Sequence, residues 1–336
     1  MTEQTKRQLF NQVMDGQPTS RTLMSTWCHF LADENEAETL AAATINYART
    51  FDWDWIKYNP RAIYVPEAWG NKYDYNAIDW VFPRLVKSVL TTPEDLAAFP
   101  DTLPINSPSL VEQARGMALV QEALPDTPVL ATIFSPLSIL LLLAGLPITN
   151  NGFTNTSVDG LSREDLFETY ADETDRVLAA IADGLARYIQ QLHADGVDGI
   201  FFATTSTAAL FTPEQFERFS VPHDATVLTA APGMRSILHT CGDHARPEFF
   251  QSYPVDALSW DTHAEGNLPV DAELSLPTVC GVSRHAFDRG DIVSINEQSA
   301  EALAANAGRP FVLTPDCAIS SGTSESALHA FRGATR

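Results

Sequence analysis

Three residues with metal-binding side chains follow or end apolar runs of the sequence: His239, Cys241 and Cys317. His239 and Cys241 are two positions apart, so on an extended backbone their side chains point the same way and can reach one ion. One nitrogen and two sulfur ligands suit Zn²⁺, and three protein ligands leave a fourth position for a substrate. The same residues also admit a plainer interpretation, in which the cysteines are small hydrophobic residues and the histidine only forms a hydrogen bond. We call these three residues the His-Cys-Cys set.

Eight short apolar runs recur along the chain, each followed by a polar turn and a helical pattern. They cover residues 21–25, 54–58, 128–134, 197–203, 235–239, 255–260, 277–282 and 310–314. Because the runs are apolar rather than alternating, they predict parallel strands that are buried on both faces. The sequence therefore predicts an α/β fold, a single (β/α)₈ TIM barrel over residues 1–336, with a helical N-terminal extension over about residues 1–20. An open doubly wound sheet is the alternative, but no glycine-rich nucleotide fingerprint follows any of the runs.

The connections after the second and third predicted strands are longer than the others, and we expect extra helices in both. Thr92-Pro93 and Thr212-Pro213 are typical of helix starts, with a side-chain cap followed by proline at the first helical position. Residues 146–160 are rich in polar and turn-forming residues and predict a mobile loop over the barrel mouth. In such a barrel the C-terminal ends of all strands face one mouth, which is where the His-Cys-Cys set would meet.

Composition excludes several classes of partner. The chain has 43 acidic and 21 basic residues, for a net charge of −22, which argues against nucleic acid and anionic membrane surfaces. Its most apolar stretch, residues 133–148, is too short to span a bilayer, and the N-terminus lacks the apolar core of a signal peptide. The four cysteines are scattered, so no disulfide scaffold is expected. We therefore expect a cytoplasmic protein with a small-molecule substrate; a homodimer is compatible with the sequence, which does not specify the oligomeric state.

Several motifs resemble the uroporphyrinogen decarboxylase superfamily. They are "HTCG" after the fifth predicted strand, "YPVDALSWD" at the sixth and "FVLTPDCAI" at the eighth. The resemblance covers nearly the whole chain and is most specific over residues 197–322. It implies a (β/α)₈ barrel, in agreement with the count of eight strands.

The decarboxylase branch of that superfamily fits this sequence poorly. Its members work without a metal and carry an arginine-rich loop after the first strand to hold the substrate's carboxylates. This chain has "STWCHFLADE" there, with two acids and no arginine, and it has Cys317 where that branch has a histidine. A substrate with many carboxylates needs a basic site, so we do not expect uroporphyrinogen to be decarboxylated.

The second branch, the corrinoid-dependent thiol methyltransferases of the coenzyme M type, has the signature H-x-C followed much later by C. His239, Cys241 and Cys317 match it. The resemblance implies a Zn²⁺ cofactor, a small thiol that is activated as the zinc thiolate, and a methyl-corrinoid or similar donor, with a corrinoid protein as the partner that carries it. The alternatives are a metal-free lyase or decarboxylase in the same barrel and a non-catalytic barrel that only binds a corrinoid or a metal.

Four further residues are candidates for the site. Asp261 follows the sixth strand, where the distantly similar cobalamin-independent methionine synthases have a carboxylate. We predict it as the catalytic carboxylate, either as a fourth metal ligand or as a partner of the metal-bound histidine; a helix cap is the alternative. Tyr58, Asn59 and Trp260 are predicted to shape the substrate site, although packing explains each of them equally well.

Overall fold

The strands of the computed structural model, which describes residues 4–103, 105–148, 160–204 and 210–335, confirm the predicted fold. Strands β1 and β2 and β5–β10 form one parallel sheet in the order β1-β10-β9-β8-β7-β6-β5-β2, which curls into a (β/α)₈ barrel. Each predicted run overlaps one of these strands, and β6, β7 and β10 extend one residue beyond it. The strands are β1 (Leu23–Met24), β2 (Ile56–Tyr58), β3 (Lys72–Asp79), β4 (Phe82–Lys87), β5 (Val129–Phe134), β6 (Gly199–Thr204), β7 (Arg235–Thr240), β8 (Ala257–Trp260), β9 (Thr278–Val282) and β10 (Phe311–Pro315).

The two edges of the curled sheet, β1 and β2, are joined through Asp54. Its backbone N–H donates to the Met24 carbonyl at 3.1 Å, and its carboxylate accepts from the Met24 N–H at 2.9 Å. The Ser25 hydroxyl donates to the Trp55 carbonyl at 2.7 Å. These bonds satisfy backbone groups that a sheet edge would otherwise leave unpaired.

Helices surround the barrel. They are α1 (Lys6–Met14), α2 (Ala37–Phe51), α3 (Tyr64–Trp69), α4 (Pro93–Ala98), α5 (Pro108–Ala123), α6 (Pro136–Leu143), α7 (Ala171–Ala194), α8 (Pro213–Phe219), α9 (Val221–Leu228), α10 (Arg284–Asp288), α11 (Ile292–Ala305) and α12 (Glu325–Gly333), with a π-helical turn at Asp165–Thr169 and a 3₁₀ turn at Pro247–Ser252. The predicted N-caps are confirmed, because Thr92 and Thr212 each accept a bond from the third residue of the helix in a capping box. Across the described residues, the helices include none that is long and apolar enough to cross a bilayer.

The N-terminal helix covers one end of the barrel. Leu9, Phe10, Val13 and Met14 of α1 pack against the side chains that point into the barrel, and the rings of Phe10 and Trp55 are 5.9 Å apart. This helix lies within the predicted N-terminal extension. It closes the end opposite the mouth, so that ligands enter at the C-terminal ends of the strands.

The long connection after β2 contains a hairpin that the sequence analysis did not predict. The expected extra helices are present as α3 and α4, but β3 and β4 form an antiparallel pair between them. The hairpin turns at Trp80, which adopts a positive φ of 55°. Such turns usually carry glycine or asparagine, so a tryptophan at this position does not predict a turn. Of the predicted loop over 146–160, residues 149–159 lie outside the described part of the chain.

Candidate metal and substrate site

The structure brings the His-Cys-Cys set together at the mouth of the barrel. His239 points into the barrel from β7, two positions after the inward-facing Ile237, and Cys241 follows the end of that strand. Cys317 lies two residues beyond β10. One ligand atom from each of the three lies within 4.8 Å of the other two.

The geometry of the three side chains fits a zinc ion. The sulfurs of Cys241 and Cys317 are 3.8 Å apart, much farther than the roughly 2.05 Å of a disulfide. Two ligands of a tetrahedral zinc with Zn–S distances of about 2.3 Å would be separated by about 3.8 Å. His239 Nδ1 bonds the Ser259 hydroxyl at 3.0 Å, whereas its Nε2 is buried without a hydrogen-bond partner. A buried nitrogen without a partner is costly, and a metal ion would satisfy it.

The thiols of Cys241 and Cys317 shift each other's pKa. Because of the hydrogen bond between the two sulfurs, and because the His239 ring is close, the pKa of Cys317 is well below its ordinary value. The same hydrogen bond, together with burial, raises the pKa of Cys241 well above its ordinary value. Cys317 is therefore the first of the pair to become the thiolate, which is the form that binds metals.

A second cluster of ionisable groups adjoins the first. Buried Asp316 bonds the ring of His263 at 2.5 Å through Nδ1 and accepts from the Gly281 N–H at 3.1 Å. Burial, followed by the charge of Asp316, raises the pKa of Asp261 to about 7. The hydrogen bond to Asp316 raises the pKa of His263. Asp261 lines the same cavity as Cys241 and Cys317.

The His-Cys-Cys set, together with Asp261 and His263 of the second cluster, lines one cavity of about 310 Å³ at the barrel mouth. Its walls include Asn59, one of the predicted substrate residues, and Lys57 of β2. Trp80 and Phe82 of the β3–β4 hairpin form part of its rim. The cavity is therefore an apolar pocket with a small number of polar groups around the His-Cys-Cys set, which is typical of small-molecule sites.

The structure does not bring Tyr58 and Trp260 to this cavity. Both side chains point away from the barrel axis and belong to the core between strands and helices. Tyr58 reaches Gly116 of α5, where a Cβ would collide with the tyrosine hydroxyl. Trp260 donates its indole N–H to the Leu268 carbonyl at 2.8 Å.

Sequence reasoning missed Lys57, Ser259 and the pairing of His263 with Asp316. For Lys57 and Ser259 the signal was present, because strand alternation places them on the same face as Trp55 and Ala257, which point into the barrel. The ring of His263 is partly exposed, but it is bonded to the carboxylate of Asp316 from a distant strand end, which no local pattern reveals.

A sequence profile described as Uroporphyrinogen decarboxylase (URO-D) matches residues 6–336, almost the entire chain. The chain belongs to the uroporphyrinogen decarboxylase family. This confirms the superfamily that the sequence motifs indicated. No curated protein sequence matches the chain significantly.

Solved structures share the fold of this family member. A methyltransferase from Methanosarcina mazei superposes with a TM-score of 0.80 at 16% identity, over 99% of this chain and 98% of that one. A putative vitamin-B12-independent methionine synthase from Listeria monocytogenes gives a TM-score of 0.56 at 14% identity, over 95% and 96% of the two chains. At these identities the similarity establishes the barrel and leaves the activity to be argued from the site.

Proposed function

We propose that this family member is a zinc-dependent methyltransferase that activates a small thiol as acceptor and takes the methyl group from a methyl-corrinoid, carried by a corrinoid protein, or from a similar donor. The observation that carries the proposal is the meeting of His239, Cys241 and Cys317 within 4.8 Å of one another at the barrel mouth. Such a set holds Zn²⁺ with one position left for a substrate.

Each residue of the site has a distinct part in this function. Bound Zn²⁺ would supply the positive charge that favours the thiolate form of the acceptor at neutral pH. Two cysteine ligands moderate that charge, so that the acceptor sulfur keeps its nucleophilicity. Ser259 orients the His239 ring so that Nε2 faces the ligand position. The apolar walls of the cavity exclude water from the sulfur, and its open mouth admits a bulky donor.

The comparisons support this proposal. The family is one of enzymes, and the same barrel with nearly complete coverage occurs in a protein described as a methyltransferase. The Asp261 carboxylate beside the sulfurs could serve as the fourth ligand of the resting metal or orient the acceptor.

The site gives less support to decarboxylation of uroporphyrinogen. Among the described residues that line the cavity, the lysines and arginines are Lys57 and Arg284, and they are accompanied by Asp243, Asp261 and Glu265. Acidic side chains repel a substrate that carries many carboxylates.

Metal analysis tests the first part of the proposal. Purified protein should contain about one Zn²⁺ per chain, and Cys241→Ser and Cys317→Ser should each lose most of it while remaining folded. Cys280→Ser is the matched control, because Cys280 is a buried cysteine on the outer face of the barrel. Wild-type protein that holds no stoichiometric metal, even after reconstitution with zinc, would contradict the proposal.

Zinc-edge X-ray absorption tests the acceptor. Titration of the zinc-loaded protein with candidate small thiols should add one sulfur scatterer at about 2.3 Å when a thiol binds. Methyl transfer from a methyl-corrinoid to that thiol can then be followed directly. If small thiols of every charge type leave the coordination unchanged, thiol activation is wrong even if the metal site is real.

A further inference from the structure

Lys57 lies inside the barrel, beside the metal-binding cysteines. It is 8% exposed and lines the same cavity as the His-Cys-Cys set. Its Nζ lies over the rings of Trp27 and Phe201, at 5.7 and 5.0 Å from their centroids. Its hydrogen bond goes to the neutral side-chain oxygen of Asn59.

No carboxylate of the described residues lies within ion-pair distance of this ammonium group. Buried Arg61, in contrast, is paired with Glu67 and Glu112. A buried cation without a counter-charge is costly, and the group then favours its neutral form. Burial accordingly lowers the pKa of Lys57 to about 7, while the nearby Cys317 and Cys241 oppose that shift.

The charges around Lys57 change when an acceptor binds. Zn²⁺ with two thiolates and a neutral histidine carries no net charge, so an acceptor thiolate adds one negative charge to the site. An added negative charge nearby raises the pKa of a lysine. The other ionisable groups that line the cavity are His29, Asp243, Asp261, His263, Glu265, Arg284 and His285. The groups whose charges act on Lys57 are Cys241 and Cys317.

We propose that Lys57 takes up the proton that the acceptor thiol loses on binding, and that the resulting ammonium balances the charge of the thiolate. The inference rests on the proposed function. In this step the S–H bond breaks, its electron pair stays on sulfur, and a new N–H bond forms at Nζ. Lys57, which is itself buried, thereby keeps both the proton and the counter-charge inside the barrel.

Calorimetric proton counting tests the step. Zinc-loaded protein is titrated with 2-mercaptoethanol in buffers of different ionisation enthalpy, at pH about 6 and about 8, where the free thiol is largely protonated. Wild type should release close to one proton at pH 6, because Lys57 is already charged, and close to none at pH 8. Lys57→Met should release close to one proton at both values and bind the thiol about tenfold more weakly at pH 8, the effect of roughly one pKa unit of charge interaction.

The Lys57→Arg variant distinguishes the effect of a positive charge at this position from the ability of the side chain to take up a proton. Arginine stays protonated, so this variant should retain most of the affinity and still release one proton at both pH values. The zinc content and circular dichroism of both variants show whether the fold and the metal site survive. Release of a full proton by wild type at pH 8 would overturn the Lys57 inference and leave the proposed function intact. If 2-mercaptoethanol and other small thiols do not bind at all, both the proposed function and the Lys57 inference are wrong.

Discussion

At the scale of single residues, the site depends on which of the two ring nitrogens of His239 already has a hydrogen-bond partner. His239 has one ring nitrogen bonded to Ser259 and the other buried without a partner. Because Ser259 lies opposite His239 on the neighbouring strand, the barrel's register fixes the orientation of the ring. In the proposed function, this buried hydroxyl would orient the nitrogen toward a metal without contacting the metal itself.

Removal of that hydroxyl should weaken metal binding. In Ser259→Ala the His239 ring loses its orienting bond, and we expect the zinc affinity to fall by about 10- to 100-fold. Competition with a chromophoric chelator measures the change. Ser299→Ala is the control, because Ser299 is an equally buried serine on α11 and should leave the affinity unchanged. An equal loss in both variants would mean that the effect is general destabilisation.

At the scale of elements, a buried carboxyl group connects α9 with the turn that follows β7. Asp224 accepts hydrogen bonds from Ser220 at 2.7 Å and from Tyr253 at 3.2 Å, while its second oxygen is buried without a partner. Burial raises the pKa of this carboxyl to about 7. The folded protein therefore favours the neutral acid at a position where the unfolded chain would be ionised.

This shift predicts a pH dependence of stability. The folded state binds the Asp224 proton more tightly than the unfolded state, so its contribution is fully present below about pH 4 and is lost as the pH rises to about 7. Asp224→Asn keeps an oxygen acceptor but cannot ionise, so it should be more stable than wild type at pH 8, by a few kcal/mol at most. At pH 5 the advantage should be smaller. Urea unfolding at both pH values measures it, and a difference that does not depend on pH would refute this account.

The elements also show what could be predicted from the sequence. The eight barrel strands were predictable because a strand buried on both faces needs a continuous apolar run. The His-Cys-Cys set was predictable because strand alternation and the common mouth of a barrel bring such residues together. The β3–β4 hairpin was not predictable, because the residue with positive φ in its turn is Trp80, and tryptophan is not typical of turns. The sequence alone left open whether Tyr58 and Trp260 line the site or pack in the core. In the barrel, strand alternation places both side chains in the outer core.

At the scale of the whole molecule, one end of the barrel is closed and the other is open. The N-terminal end is closed by α1, and near it Arg332 of α12 pairs with Asp52 at 2.9 Å and with buried Asp54 at 3.4 Å. Asp54 also links β1 to β2. The closed end therefore ties α1 and α12 to the barrel, and the open end carries the candidate site, as is usual for this fold.

The excess of acidic residues is expected to lower the stability of the folded protein at low salt. With 43 acidic and 21 basic residues, the folded chain holds many like charges close together, and the unfolded chain relieves that repulsion. Salt screens the repulsion, since the Debye length falls from about 30 Å at 0.01 M to about 3 Å at 1 M. We therefore expect the thermal midpoint at pH 7.5 to rise by several degrees between these NaCl concentrations.

A comparison across pH separates this charge effect from other actions of salt. At pH about 5 the chain is close to its pI of about 4.5 and its net charge is small, so the same increase in NaCl should have little effect on the midpoint. Differential scanning calorimetry at both pH values measures the contrast. A midpoint that falls with salt at pH 7.5 would mean that attractive pairs such as Arg332–Asp52 outweigh the general repulsion. In that case stability would depend on where the charges lie rather than on their number.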